Sequence, residues 1–90
     1  MFINKAQDGR NNLCGTRIAQ IRKSKKLSQK KLADLLQLAG LDVDKNAIQR
    51  IEAGKRFVTD IDLVFLSLVL DRPLEDFFGD VISQHKLSNL

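Results

Sequence analysis

Apolar side chains recur along this chain at helical spacing rather than in the strict alternation of strands. Leu13, Cys14, Ile18 and Ile21 fall on one face of a first helix, interleaved with Arg17, Arg22 and Lys23. Asn11 or Asn12 stands ahead of them as a cap, because a side-chain oxygen there accepts from a free N–H of the first turn. Ser24 to Lys26 is a charged break. Ser28 then caps a second helix, whose Leu32, Ala33, Leu35 and Leu36 make one broad apolar face. Lys31 stands where a capping box would place an acid, so that reciprocal bond is missing. Gly40 is expected to end this helix in the left-handed conformation. Leu41 to Val43 reads as irregular. Asp44 caps a third helix, Lys45 to Ala53, with Ile48 and Ile51 facing inward and Gly54 stopping it.

Thr59 opens a fourth helix, and Asp62 three residues later completes the spacing of a capping box. Ile61, Leu63, Val64, Phe65, Leu66, Leu68, Val69 and Leu70 make this segment apolar nearly all round, which predicts the buried centre of the domain. Pro73 suits the first position of a fifth helix, where its missing N–H is not needed. Leu74, Phe77 and Phe78 then close the core. The expected fold is all-α, a compact bundle of about five short helices. Residues 1–11 read as a flexible arm, residues 12–79 as the folded domain and residues 80–90 as a tail. If the last helix runs on past Gly79, Phe77, Phe78, Val81 and Ile82 share one stripe. Part of that stripe must cover the core, and the remainder, with Leu87 and Leu90, would offer a symmetric dimer contact.

A length of 90 residues, 43% of them hydrophobic, suits one small domain with a modest core. No run approaches the roughly 18 consecutive apolar residues of a membrane span, and Met1 to Arg10 is polar where a secretory signal would be apolar. The expectation is a cytoplasmic protein without a membrane partner. One cysteine, Cys14, and one histidine, His85, give neither an internal disulfide nor a metal framework. Cys14 is expected to be a small, partly buried apolar residue. No cofactor and no metal are expected.

Charge changes the picture more than composition does. Residues 1–56 hold 13 Lys/Arg and 5 Asp/Glu, a net +8, whereas residues 57–90 hold 2 and 6, a net −4. A basic half joined to an acidic half points to a polyanion-facing surface on the first. Lys23, Lys25, Lys26, Lys30 and Lys31 form a run of the kind that is ordinarily just a solvated face.

The order of motifs gives the basic half a more definite meaning. Ile18 and Arg22 are followed by Leu27-Ser28-Gln29 and Leu32-Ala33. Ile48, Arg50-Ile51-Glu52, Gly54-Lys55 and finally Leu74-Glu75-Asp76-Phe77-Phe78 come next. From Gly15 to Phe78 the chain resembles the Cro/repressor-type helix-turn-helix family of bacterial and phage regulators, whose domains are lambda repressor-like. The resemblance implies a transcriptional regulator, a repressor, that binds double-stranded DNA as a homodimer. Lys45, Asn46, Gln49 and Arg50 fall where the family reads bases. Gln29, at the start of the second helix, falls where members bind a phosphate. Arg22 and Glu52 occupy positions that pair with each other and hold the third helix at its docking angle.

Elementary chemistry agrees. A helix in the major groove needs one apolar face against its scaffold and polar groups on the other; Asn or Gln suits adenine, and Lys suits guanine or a phosphate. A helix N-terminus favours an anion near Gln29. Lys55 and Arg56, just beyond the third helix, form a second phosphate clamp in this reading, or else simply offset the helix dipole.

One feature departs from the family pattern. Ala33 and Ile48 stand 15 positions apart, about five more than usual, in a motif whose turn has roughly three or four residues. Either the second helix is longer by about a turn, or a small loop tucks Leu41 and Val43 beneath it. A second functional class stays open: an antitoxin or adaptor that uses the same domain mainly to hold a protein partner. An enzyme is not expected, since no nucleophile–base pair or phosphate-cradling Gly loop is present. RNA binding stays open as well, although with no Trp or Tyr the chain offers few of the aromatics on which single-strand readers stack bases.

Overall fold

The computed structural model of the chain describes Lys5, Ala6 and residues 8–79. Four α-helices follow one another: α1 (Gly15–Ser24), α2 (Gln29–Ala39), α3 (Lys45–Glu52) and α4 (Asp60–Leu70). The fifth element is shorter than a helix proper. It is a 3₁₀ turn, Leu74–Phe77, with Pro73 immediately before it. No strand occurs among the described residues. The stripe expected at Val81 and Ile82, with Leu87 and Leu90, lies outside them.

Local chemistry starts three of the four helices where expected. Ser28 Oγ accepts from Lys31 N–H at 2.9 Å, and Asp44 Oδ1 accepts from Ala47 N–H at 2.8 Å. Thr59 and Asp62 form the full capping box, each side chain accepting from the other's main-chain N–H. The first helix starts later than the pattern suggests. Cys14 occupies its cap position without a side-chain bond, and Asn12 instead reaches over to accept from Gly15 N–H. Gly40 closes α2 at φ 114°, and Asp71 closes α4 at φ 53°, a left-handed position that Asp tolerates better than most residues.

Both alternatives for the long connection are realised together. Helix α2 runs on to Ala39, and the loop behind it buries Val43 and half-buries Leu41. Gln37 Nε2 donates to Val43 C=O at 2.6 Å and ties the loop back to the helix. The extra residues are therefore absorbed by structure that packs, not by slack.

Ile18, Ile21, Leu32, Leu36, Ile48, Ile51, Leu66, Leu70 and Phe77 are fully buried and form one core. Helix α2 packs against both α3 and α4, while α1 packs against α3 and the 3₁₀ turn. Cys14 is buried, more completely than expected, and desolvation pushes its thiol up to about 11, so it stays protonated at neutral pH.

The expectation for α4 is corrected here. Only Asp62, Leu66 and Leu70 of this helix are buried. Ile61 is 61% exposed, Val64 49% and Leu68 69%. A four-helix domain of this size covers one side of α4 with α2 and the 3₁₀ turn and has nothing left to cover the other.

Candidate nucleic-acid interface

Helix α3 is divided lengthwise. Ala47, Ile48 and Ile51 are buried, and Lys45, Asn46, Gln49 and Arg50 are all exposed on the opposite side. Offsets of one, four and five residues place these four on one strip of helix surface. Lys45, Asn46 and Gln49 lie outward as the helical pattern predicts, Arg50 joins them where the family resemblance placed it, and Ala47 adds to the apolar face of Ile48 and Ile51. A small side chain at Ala47 lets the helix sit close to its support.

The other end of α3 is held by a buried ion pair. Arg22 Nε lies 2.7 Å from Glu52 Oε2 and Nη2 lies 3.0 Å from Oε1, with the two side chains only 9% and 8% exposed. The remaining nitrogen of the fork, Nη1, donates to Leu27 C=O at 2.7 Å. Two parallel bonds fix both distance and angle between α1 and α3. Gln29 joins the same network, its Nε2 donating to Glu52 Oε1 at 3.0 Å. That contact places Gln29, at the first turn of α2, beside the last turn of α3. The family resemblance implied the Arg22–Glu52 pairing but not this third member, since nothing in the order of residues reports how far an amide reaches.

Beyond α3 the chain folds back on its own helix end. Lys55 N–H donates to Arg50 C=O at 2.9 Å and Arg56 N–H to the same oxygen at 3.3 Å. Lys55 is exposed and Arg56 half-buried. Lys45, Arg50, Lys55 and Arg56 thus spread positive charge along α3 and past its end. Asp42 and Asp44 are exposed at the N-terminal end, where Asp44 is engaged as the cap. Positive charge is accordingly concentrated toward Arg50–Arg56, away from the acidic N-terminal end of α3. The five lysines of residues 23–31 are all exposed, and one, Lys30, is paired with Asp34 at 3.0 Å.

A scaffolded helix with one polar face, braced by a second helix at its base, defines a helix-turn-helix DNA-binding fold. The chain belongs to the HTH_3 helix-turn-helix family, of the Cro/C1 type, which matches residues 18–77; this is a family of DNA-binding transcription regulators. Among solved structures, the chain is similar to the restriction-modification controller protein C.AhdI from Aeromonas hydrophila. The identity is 30% and the TM-score 0.63, over 71% of this chain and 86% of that one. It shares its fold with the clp gene regulator ClgR from C. glutamicum at 17% identity and a TM-score of 0.69, over 86% and 94% of the two chains. No curated protein matches the sequence. No helix among the described residues is long and apolar enough to cross a membrane.

Proposed function

We propose that this protein is a sequence-specific regulator that lays α3 in the major groove of double-stranded DNA and represses transcription as a homodimer. The observation that carries the reading is the strip of Lys45, Asn46, Gln49 and Arg50, projecting from a helix whose other face is wholly buried. Asn46 and Gln49 suit adenine edges; Lys45 and Arg50 suit guanine or the flanking phosphates. Gln29, Lys55 and Arg56 are assigned to phosphates on either side of the groove. The likeness to a controller protein supports a regulatory role. Occlusion of a promoter by the bound dimer would produce repression.

One eight-residue helix reaches only a few base pairs, so specific binding calls for two copies on a two-fold site. The exposed stripe of Ile61, Val64 and Leu68 on α4 supports that assembly by offering an apolar surface for a second copy. The same stripe is the one feature that favours the second reading, in which the domain holds a different protein. Selection of bound sequences from a random duplex library tests the main reading. A palindromic site with half-sites about 10 base pairs apart is expected. Affinity should fall with salt at a log–log slope near −5 for about 6 phosphate contacts. No duplex binding even at low salt would overturn it.

A further inference from the structure

We propose that Asn11 and Asn12 are positioning residues for DNA binding, holding the Lys55–Arg56 segment in place at the end of α3. The proposal rests on the assignment of Lys55 and Arg56 to phosphates. Asn12 is 8% exposed, and its amide is fully used. Its Oδ1 accepts from Gly15 N–H at 2.8 Å, and its Nδ2 donates to Ile51 C=O at 3.0 Å and to Arg56 C=O at 2.7 Å. One side chain thereby fastens the start of α1, the last turn of α3 and the basic segment after it. Asn11 continues the pattern. Its N–H donates to Gly54 C=O at 2.8 Å, and its Nδ2 to Lys55 C=O at 3.0 Å. Arg10 Nη2 completes it on Glu52 C=O at 2.8 Å.

Every helix ends with carbonyls that have no partner within the helix, and solvent or a local turn ordinarily satisfies them. Here five carbonyls from Ile51 to Arg56 receive donors from three consecutive residues about 40 positions earlier in the chain. Close packing dictates glycine at one position, and a left-handed backbone favours it at the other. A Cβ at Gly15 would collide with Ile51 C=O, and Gly54, at φ 79°, lies where a Cβ would meet the Arg10 guanidinium. Such a fit exceeds what is needed merely to reverse the chain after α3. It fixes the backbone from which Lys55 and Arg56 project, so their charges meet phosphates without first being ordered.

Asn has the composition this role requires. Two donors face two carbonyls and one acceptor faces an N–H. Asp would set oxygen against oxygen at Ile51 and Arg56, and Ala would take this donor from Arg56 C=O and leave Ile51 C=O with Gly54 N–H alone.

The test is the salt dependence of affinity for the selected duplex, measured on the full chain well below the melting temperature of each variant. Lys55→Ala/Arg56→Ala should reduce the slope by about 2 per subunit, close to one unit for each phosphate contact. Asn12→Ala should reduce it by about 1, and adding Asn12→Ala to the double variant should change it little further. A purely structural loss lowers the folded fraction and scales affinity equally at every salt concentration, leaving the slope as it was. Asn11→Ala, which removes only the side-chain bond to Lys55 C=O, provides a milder variant should Asn12→Ala fail to fold; a smaller reduction in slope is expected. Wild-type slopes in the asparagine variants, beside a reduced slope in the lysine–arginine variant, would overturn the proposal. An undiminished slope in the lysine–arginine variant would instead overturn the phosphate assignment beneath it.

Discussion

Glu52 accepts three hydrogen bonds, two from Arg22 and one from Gln29, in surroundings that admit almost no water. Such a carboxylate is a poor guide to how much stability the pair adds, because desolvation offsets most of the attraction. It is a good guide to what happens when one partner is removed. Arg22→Ala leaves a buried, uncompensated charge and releases Leu27 C=O, so a loss of about 3 kcal/mol in folding stability is expected. Replacing both partners, as in Arg22→Met/Glu52→Leu, should cost less than Arg22→Ala alone. Urea denaturation of the three proteins checks the order. A loss under about 1 kcal/mol for Arg22→Ala would show that water reaches the pair after all. At this scale the sequence was readable where a motif names both partners, as with Arg22 and Glu52. It was silent where reach decides. Asn11 and Asn12 were legible as alternative caps for α1, but the grip of Asn12 on Ile51 and Arg56 depends on two segments meeting in space, and Arg10 read only as part of a loose arm.

Among the elements, α3 has the most divided labour, and its parts should respond differently to substitution. Asn46→Ala or Gln49→Ala should cost roughly 1–3 kcal/mol on the selected site and relax preference at one base position, with non-specific affinity nearly intact. Lys55→Ala should weaken binding to selected and scrambled duplexes by similar factors, since phosphates carry no base identity. Titration of each variant against both duplexes separates the two patterns. Wild-type specificity in both Asn46 and Gln49 variants would place the reading surface elsewhere. The helix starts at Ser28, Asp44 and Thr59 were legible because a cap is a bond between residues three apart. The faces of α2 and α3 were legible from period alone. Helix α4 was not: when nearly every position is apolar, period no longer says which face is covered, and that answer comes from how many neighbours the domain can supply. The 3₁₀ turn after Pro73 was read as a helix for a related reason, since apolar spacing over four residues does not distinguish the two.

For the whole molecule, the distribution of surfaces matters more than any one of them. Helix α2 packs against both α3 and α4, so it connects the element with the exposed polar face to the element with the apolar stripe. Basic residues concentrate before residue 57 and acidic ones after it, which leaves α4 in the half least attractive to DNA. Phe77 is buried in the core, as its place in the pattern predicts, and Gly79 has a positive φ of 51°. The surface proposed for self-association is therefore the stripe of Ile61, Val64 and Leu68. Leu68→Glu puts a charge at a site 69% exposed in the monomer, so the melting temperature should change little. The same charge at a two-fold contact would face its own copy in an apolar setting and should disrupt the dimer. Sedimentation of the full chain should then show a dimer for the wild type and a monomer for the variant. Affinity for a duplex with two half-sites should drop at least about tenfold, equivalent to about 1.4 kcal/mol, while a single half-site binds as before. A wild-type protein that stays monomeric both free and on the two-half-site duplex would rule out this assembly. A dimer that survives Leu68→Glu would move the contact off α4 and leave its stripe for a different protein.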